Sequence, residues 1–245
     1  MANMRLDKFL SVTGTLSRSE SGRAVRGGRI TVNGFAAKKP DVKVDPDTDN
    51  ICLDGIRIVY RKYTYIMLNK PEGYVSATDD KNLPTVLELL PEELQRLGLF
   101  PCGRLDRNTV GLMLLTDDGE LAHFLLSPVS HVPKTYGYEC ESPLSGEDVK
   151  ILESGVDIGE DKLTKPASLS VEESGIKGKI TLSEGRYHQI KRMFEAVGNK
   201  ITYLERLTFG PLTLDTSLSR GEWRYLTEGE TAELQKHNRN TNPKL

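Results

Sequence analysis

The chain has 245 residues, which is enough for one sizeable domain or two smaller ones, and its 37% hydrophobic content can supply a buried core. No apolar run approaches the roughly 18 residues of a membrane span, and no charged-then-apolar leader begins the sequence. Three widely spaced cysteines argue against a disulfide framework or a zinc site. We therefore expect a cytoplasmic protein with no membrane contact.

The net charge of −2 conceals an uneven distribution of charge along the chain. Residues 1–43 hold nine Lys or Arg against three Asp or Glu, a balance of +6, so the remaining residues carry −8. Such an excess is typical of a small module that contacts RNA. An ordinary solvated surface is the alternative interpretation.

Two helices and a hairpin are predicted in this basic segment. Apolar residues recur at helical spacing over residues 6–10, and a capping-box pattern at Ser17 begins a second helix that ends at Gly27-Gly28. The Asn33-Gly34 dipeptide predicts a tight turn between two short strands.

Within residues 4–58, the segments Arg-x-Asp-Lys-Phe-Leu, Ser-Arg-Ser-Glu and Gly-Arg-Ile-Thr-Val-Asn-Gly resemble the S4 RNA-binding domain. That resemblance implies a module that anchors structured RNA by its phosphates and shape. The basic residues expected to contact RNA here are Arg5, Arg18, Arg23, Arg26, Arg29 and Lys38.

An acidic loop over residues 45–50 and the charged pair Arg61-Lys62 indicate a domain boundary, after which the apolar pattern restarts. Strands and helices then mix without a regular βαβ alternation, which predicts an α+β domain with a largely antiparallel sheet. We expect an N-terminal domain over 1–58, a second domain over 59–236 and a polar, disordered tail over 237–245. The predicted helices cover residues 85–97, 118–126, 145–152 and 190–197 and begin again at 227, and the predicted strands cover 65–68, 111–116, 134–140, 179–182 and 200–207.

One carboxylate is placed in a loop that leads into a strongly apolar strand. Asp106 lies between Arg104 and Arg107, just before the leucines that follow Gly111. Because acidic side chains favour turns and leucines favour a core, the segment predicts that Asp106 is presented at the rim of a cleft. An Asp that only braces a turn is the alternative.

Positive charge gathers at the beginning of the predicted helix over residues 190–197. Its apolar residues form one face at helical spacing, which an ordinary core helix explains. Cations at a helix N-terminus oppose the helix dipole, however, so an anionic partner is predicted, and an RNA phosphate together with the Asp106 carboxylate would serve. The cations concerned are Arg186, His188, Lys191 and Arg192.

Four segments of the second domain resemble motifs of the RsuA/RluA superfamily of RNA pseudouridine synthases. They are Gly-Arg-Leu-Asp at 103–106, Asn-Lys-Pro-Glu-Gly at 69–73, Lys-Thr-Tyr at 134–136 and Glu-Gly-Arg-Tyr-His-Gln-Ile-Lys-Arg-Met-Phe at 184–194. The resemblance implies a synthase domain built on a mixed, largely antiparallel sheet with flanking helices, which follows a helix-helix-hairpin S4 domain.

The same resemblance assigns roles to individual residues. It implies that Asp106 is the catalytic carboxylate, that Lys191 pairs with it, that Tyr136 stacks on the target base and that Arg104 fills the space left by a base flipped out of the RNA. Further RNA contacts are expected from Arg107, Arg186, His188 and Arg192. Residues 163–167 and 184–194 are more similar to the small-subunit members, so a specific uridine of 16S ribosomal RNA is the expected substrate, free or in a partly assembled subunit. A monomer is expected.

Neither cofactors nor metals are predicted, because the histidines lack ligand spacing and the glycine-rich nucleotide-binding motifs are missing from the sequence. Three other functions stay open: a large-subunit rRNA synthase, a non-catalytic RNA-binding or ribosome-assembly factor, and a glycoside hydrolase that pairs Asp106 with Asp117 or Asp118. A hydrolase needs its two carboxyl groups about 5–9 Å apart. A strand between them rises about 3.3 Å per residue, which would place them farther apart unless the chain doubles back.

Overall fold

A computed structural model describes residues 3–127 and 129–241. The chain divides into two compact units, one of Met1–Thr64 with Leu90–Leu99 and the other of Tyr65–Leu89 with Phe100–Leu245. Leu90–Leu99 groups with the N-terminal residues by its contacts, and the contiguous domains expected over 1–58 and 59–236 stay a prediction. In the part of the chain that is described, no helix is both long and apolar enough to cross a membrane.

The N-terminal unit contains the two helices and the hairpin that were predicted. Ser17 caps the second helix through its hydroxyl, which accepts from the Glu20 amide at 3.3 Å, while the Ser17 amide donates to the Glu20 carboxylate at 2.7 Å. Asn33 and Gly34 both have positive φ at the hairpin turn, as a two-residue loop of this kind requires. The elements are β1 (Met4–Arg5), α1 (Leu6–Val12), α2 (Arg18–Arg26), β2 (Ile30–Val32), β3 (Phe35–Ala36), β4 (Lys43–Val44), β5 (Ile51–Leu53), β6 (Ile56–Arg57) and, from the later segment, α3 (Glu92–Gln95).

Strands β3, β2, β5 and β6 form an antiparallel sheet in that order, and β1 pairs with β4. Both helices bury apolar residues on one side, so the unit has a core of its own. The fully or nearly buried members are Leu6, Phe9, Leu10, Ala24, Val25, Ile30, Val44 and Ile51.

The second unit is built on one large mixed sheet with helices beside it. Within the described residues this sheet has nine strands, in the order β11-β12-β10-β13-β9-β7-β15, with β8 added to β9 and β14 to β13. Every pairing is antiparallel except that of β9 with β13. The expected α+β class and largely antiparallel sheet are confirmed. The elements are β7 (Tyr65–Lys70), β8 (Phe100–Pro101), β9 (Val110–Thr116), α4 (Gly119–Leu126), β10 (Lys134–Cys140), α5 (Gly146–Ser154), β11 (Ser168–Val171), β12 (Lys177–Leu182), α6 (Gln189–Ala196), β13 (Ile201–Phe209), β14 (Leu212–Thr213), β15 (Trp223–Tyr225) and α7 (Glu228–Thr241).

Strands β9 and β13 approach each other closely at one glycine. Gly111 is the partner of Arg206 in this parallel pair and has a φ of +99°. A Cβ atom at Gly111 would lie 2.4 Å from the Arg206 carbonyl oxygen, a distance that no side chain tolerates. On its other side, β13 places Arg206 opposite Tyr136 of β10. Three strands therefore bring Gly111, Arg206 and Tyr136 into one row.

Helix α6 is anchored by its apolar face, as its helical spacing predicted. Ile190, Met193 and Phe194 are buried in a core that also contains Tyr138 of β10 and Leu152 of α5. This packing holds the first turn of α6, which carries Lys191, in a fixed position relative to β10.

Two predicted segments of the second domain differ from the structure, and several short strands were not predicted. The helix expected over 85–97 is a short 3₁₀ helix, Val86–Leu89, followed by α3, because Pro91 lacks an amide donor and disfavours helical backbone in the residue before it. Helix α7 continues to Thr241, so the first five residues of the predicted disordered tail are helical, while 242–245 lie outside the described residues. Strands β8, β11, β14 and β15 were missed, since strands of two to four residues carry little periodic signal.

Candidate active site

A buried lysine at the end of β7 supports the loop that carries Asp106. The Lys70 ammonium donates to the carbonyl oxygens of Thr109 at 2.9 Å, Asp106 at 3.1 Å, Pro71 at 3.1 Å and Arg107 at 3.3 Å. Its side chain is fully buried at the end of β7. The Asn-Lys-Pro-Glu-Gly motif thus supports the Asp106 loop directly through its lysine.

Burial lowers the pKa of Lys70 to about 8, since desolvation penalises the ammonium form. The negative charge of Asp106 opposes this effect, while the positive charges of Arg206 and Lys191 add to it. Keeping Lys70 charged in this buried position is therefore unfavourable, and its hydrogen bonds to the loop carbonyls offset part of that desolvation cost.

A serine clamps the same loop from another side. The Ser76 hydroxyl donates to the Leu105 carbonyl at 2.8 Å and accepts from the Leu105 amide at 3.0 Å. The Gly73 amide donates to the Arg107 carbonyl at 2.9 Å. With Leu105 buried and both neighbours of Asp106 fixed, the Asp106 side chain projects from a rigid turn.

Asp106 forms an ion pair with Lys191. The Lys191 ammonium lies 2.6 Å from Asp106 Oδ2 and also donates to Asn108 Oδ1 at 2.6 Å. His188 Nε2 lies 3.4 Å from the other oxygen, Asp106 Oδ1. His188 is the N-cap residue of α6 and has a φ of +49°, which turns the chain into the helix beside the carboxylate.

A cavity of about 870 Å³ contains this pair, and it is lined entirely by residues of the second unit. Its size is in the range of small-molecule sites and can receive a nucleotide. Of the site residues predicted from the sequence, those that line it are Arg104, Asp106, Tyr136, Arg186, His188 and Lys191. The three residues expected to carry the chemistry are thus brought together, although their roles stay predictions.

Two of the predicted RNA-binding arginines are engaged by the protein itself. Arg186 donates to the carbonyls of Lys162 and Leu163, each at 2.7 Å, and lies 3.3 Å from a Glu160 oxygen. Arg192 pairs with Glu160 at 2.6 Å and does not line the cavity. The anionic partners of these two cations are therefore glutamates of the same chain: Glu160 for both, and also Glu184 for Arg186, with Nε 3.3 Å from a Glu184 oxygen. No local signal pointed to Glu160.

Arg107 is exposed and donates to the Gly73 carbonyl at 3.3 Å, outside the cavity lining.

Asp118, considered for a hydrolase, is buried, caps α4 and accepts from the Tyr65 hydroxyl at 2.6 Å. It is not part of the lining, so Asp118 makes no carboxylate pair with Asp106 there. The described residues contain no group of three or more His, Cys, Asp or Glu that could hold a metal ion.

All six basic residues expected to contact RNA in the N-terminal unit are exposed. Arg5 is paired with Asp7 through two hydrogen bonds, and Arg29 is paired with Asp54. Across the ranges that the structure describes, no ion pair involves the other four, which are Arg18, Arg23, Arg26 and Lys38.

Sequence reasoning missed several residues of the site. Ser76 belongs to no recognised motif. Arg206 lies on a strand whose pattern of polar and apolar residues does not distinguish it from its neighbours. Tyr187 is 68% exposed, lines the cavity and stacks on His188 with ring centroids 3.8 Å apart. It was included in a quoted motif but was given no role.

Comparison with known proteins agrees with this geometry. Residues 64–196 match the family model of RNA pseudouridylate synthase, and residues 4–50 match that of the S4 domain. The chain is 46% identical over 230 residues to the uncharacterised RNA pseudouridine synthase YtzG of Bacillus subtilis, which covers 93% of this chain and 96% of that protein. It is 44% identical over 233 residues to the ribosomal small subunit pseudouridine synthase A of Escherichia coli, covering 94% and 100%. A crystal structure of a pseudouridylate synthase aligns with a TM-score of 0.67 at 38% identity, covering 94% of this chain and 99% of that one.

The class of protein that the fold and the site define is therefore an isomerase that acts on RNA. The chain belongs to the RNA pseudouridine synthase family and carries an N-terminal S4 domain. The family expected from the sequence motifs is confirmed, and so is the S4 module.

Proposed function

We propose that this pseudouridine synthase isomerises a specific uridine of small-subunit (16S) ribosomal RNA, with Asp106 as the catalytic carboxylate and the target base flipped out of its helix. The observation that carries the proposal is the 2.6 Å contact between Lys191 and Asp106 in a cavity that Tyr136 also lines. The proposal includes a cytoplasmic, monomeric enzyme that needs no cofactor.

The reaction breaks the bond from C1′ of the ribose to N1 of uracil and rejoins the base through C5. It needs a carboxylate that acts on the nucleoside and then assists removal of the C5 proton. The Lys191 ammonium orients Asp106 for both tasks, and the Lys70 and Ser76 contacts keep the carboxylate from moving. Tyr136 retains the detached base by stacking while it rotates.

The target nucleotide must first leave its helix, at a cost of a few kcal/mol. Arg104, which is exposed at the mouth of the cavity, can fill the space that the base leaves. Phosphate contacts from the S4 domain offset part of the cost, and Arg18, Arg23, Arg26 and Lys38 are the exposed cations that supply them. The acidic second unit would bind RNA weakly without them.

Small-subunit RNA is favoured by two observations. The motif over residues 184–194 is of the small-subunit type, and relatives that match this chain over nearly its full length are named for the small ribosomal subunit. A large-subunit rRNA synthase is the second candidate, because substrate choice also depends on how the S4 domain docks.

The test is to map pseudouridines by carbodiimide primer extension in rRNA from cells that lack this protein. We expect one stop to be missing from 16S RNA and to return when the wild-type gene is restored. Asp106→Asn, which keeps the shape of the side chain but removes its charge, should not restore it. Asp161→Asn, a change at an exposed carboxylate outside the cavity lining, should restore it fully.

Two results would contradict the proposal in different parts. A missing stop in 23S RNA would overturn the substrate assignment and leave the role of Asp106 intact. Full restoration by Asp106→Asn would overturn the catalytic role.

A further inference from the structure

Two cations, the buried Arg206 and the half-buried Lys134, lie in the wall of the cavity without a carboxylate partner among the described residues. Arg206 is only 1% exposed, and its guanidinium donates to the Leu112 carbonyl at 2.7 Å and contacts the Met113 sulfur at 3.8 Å. The Lys134 ammonium donates to the Val132 carbonyl at 3.0 Å. Neither cation takes part in an ion pair with any described residue.

The two cations also share one neighbour. They contact the same buried ring, that of Phe209, with Lys134 Nζ 5.3 Å and Arg206 Cζ 5.1 Å from its centroid. Burial, and after it the charge of Arg206, lowers the pKa of Lys134 to about 8. Two like charges in a desolvated wall destabilise each other unless an anion joins them.

Their position relative to Tyr136 indicates which anion this is. Arg206 is the cross-strand partner of Tyr136, and Lys134 lies two residues before Tyr136 on β10, where alternate side chains point to the same face. All three line the cavity. The cations therefore lie beside the ring on which the uracil is proposed to stack.

We propose that Lys134 and Arg206 form an anion subsite that stabilises the negative charge developing on the uracil as its bond to the ribose breaks. This inference rests on the proposed function, in which Asp106 acts on a uridine held against Tyr136. It assigns the second half of the charge separation to a pair of residues other than Lys191.

The C1′–N1 bond breaks with its electron pair going to N1, and the uracil anion spreads that charge over O2 and O4. The ribose is neutralised by Asp106, which either bonds to C1′ or takes up a sugar proton. An electron pair of the anion then forms the C5–C1′ bond, Asp106 gives back what it took, and a proton leaves C5 while N1 gains one. Cations that meet this charge only after cleavage begins lower the barrier rather than tighten substrate binding.

An RNA phosphate is the other anion that two cations can hold, and the two sources predict different measurements. A phosphate contact would strengthen RNA binding and would steepen the slope of log affinity against log salt concentration by about 1. A contact with the departing base would change the rate of the isolated chemical step and leave RNA affinity unchanged.

The experiment uses Lys134→Met in the full chain, with Lys179→Met as a matched control. Lys179 is an exposed residue of the neighbouring strand β12 and does not line the cavity. The substrate is any RNA that the wild-type enzyme converts, so the outcome does not depend on the 16S assignment. Single-turnover rates at saturating RNA are measured with uridine and with 5-fluorouridine at the target position, together with the dissociation constant at several salt concentrations.

We expect Lys134→Met to slow cleavage of the uridine substrate about 100-fold, the effect of removing one donor to a developing anion. The loss should be less than about 10-fold with 5-fluorouridine, because the fluorinated base is more acidic and its anion needs less stabilisation. Lys134→Arg, which keeps the charge, should recover most of the rate, and Lys179→Met should equal the wild type. Asp106→Asn should be inactive on both substrates, which separates failure of the subsite from failure of the catalytic carboxylate.

Three outcomes would overturn the inference. One is an unchanged rate for Lys134→Met. Another is an equal loss of rate on both substrates, which would indicate that the substitution distorts the cavity. The Tm values of Lys134→Met and Lys134→Gln then show whether the loss of rate accompanies a loss of stability. The third is weaker RNA binding with a smaller salt dependence and a normal rate, which would assign the pair to an RNA phosphate.

Discussion

Lys70→Met tests whether the buried lysine beneath the Asp106 loop serves catalysis more than stability. The Lys70 ammonium is fully buried and contacts three carbonyl oxygens of the Asp106 loop as well as that of Pro71. Methionine has nearly the same length and shape but neither the charge nor the donors. The substitution therefore removes the electrostatic support of the loop while it keeps the volume of the side chain.

The expected change in stability is small, because two effects oppose each other. A lowering of the Lys70 pKa from 10.5 to about 8 corresponds to a cost of about 3 kcal/mol for keeping the ionised form, and the substitution removes that cost. Carbonyls left without a donor cost roughly 1–3 kcal/mol each. Those of Asp106 and Arg107 keep a second donor, from the amides of Thr109 and Gly73. We expect the free energy of unfolding to change by no more than about 3 kcal/mol in either direction.

The expected change in rate is large. Without Lys70 the loop can shift, and a displacement of about 1 Å at a catalytic group costs about 100-fold. The assay is release of tritium from RNA labelled at C5 of uridine, since the reaction removes that proton, and Tm is measured in parallel. Lys150→Met, at an exposed position of α5, is the control and should change neither quantity. A Lys70→Met enzyme with a wild-type rate would refute the reasoning.

The pH dependence supplies an independent check on the same residue. Because the pKa of Lys70 is lower in the folded state than in the unfolded state, the unfolded chain binds more protons between about pH 8 and 10.5. The wild type should therefore gain stability relative to Lys70→Met as the pH rises through that window, and the difference should be flat below about pH 8. Urea unfolding of both proteins at about pH 7 and about pH 9.5 measures it, and a falling difference would contradict the assignment.

Two further predictions concern the sheet and the S4 domain. Gly111→Ala should destabilise the second unit by more than about 3 kcal/mol and abolish activity, because a positive φ and a 2.4 Å contact with the Arg206 carbonyl must both be relieved. Gly34→Ala, which has a positive φ but no atom within 4 Å of the new Cβ, should cost only about 1 kcal/mol, and equal losses in thermal unfolding would argue against the close approach. The double variant Arg23→Ala, Arg26→Ala should weaken RNA binding and reduce its salt slope by about 2, with the single-turnover rate at saturating RNA unchanged. An unaltered slope in a titration over several salt concentrations would mean that these side chains do not contact phosphates.

Much of the fold follows from local signals in the sequence. Ser17 with Glu20, Asn33-Gly34 and the apolar stripe of α6 each specify structure within a few residues, and each is found where it was expected. Pro91 shows the reverse, because the apolar pattern around it continues while its missing amide ends the helix. Local chemistry outweighed periodicity at that position.

In the active site, too, the contacts between residues distant in sequence were the hardest to predict. Lys191 and Asp106 are 85 residues apart. Positive charge at the beginning of α6 indicated an anionic partner, but the pairing of Lys191 in particular with Asp106 was expected from the resemblance to a known family. Glu160, which holds Arg186 and Arg192, lies in a loop without any motif, so nothing in the sequence relates it to them. Arg206 was missed because its burial depends on the register of three strands, and no single strand records that register.

The short parallel contact between β9 and β13 has a mechanical consequence. It consists of two residue pairs, Glu205 with Val110 and Arg206 with Gly111, and it joins two antiparallel halves of the sheet. The half containing β9 leads from the Asp106 loop, whereas the other half carries Tyr136 and packs against the helix of Lys191. Asp106 thus lies across this short contact from both Tyr136 and Lys191, so a motion that separates or shears β9 against β13 changes the distance of the acid from both residues at once.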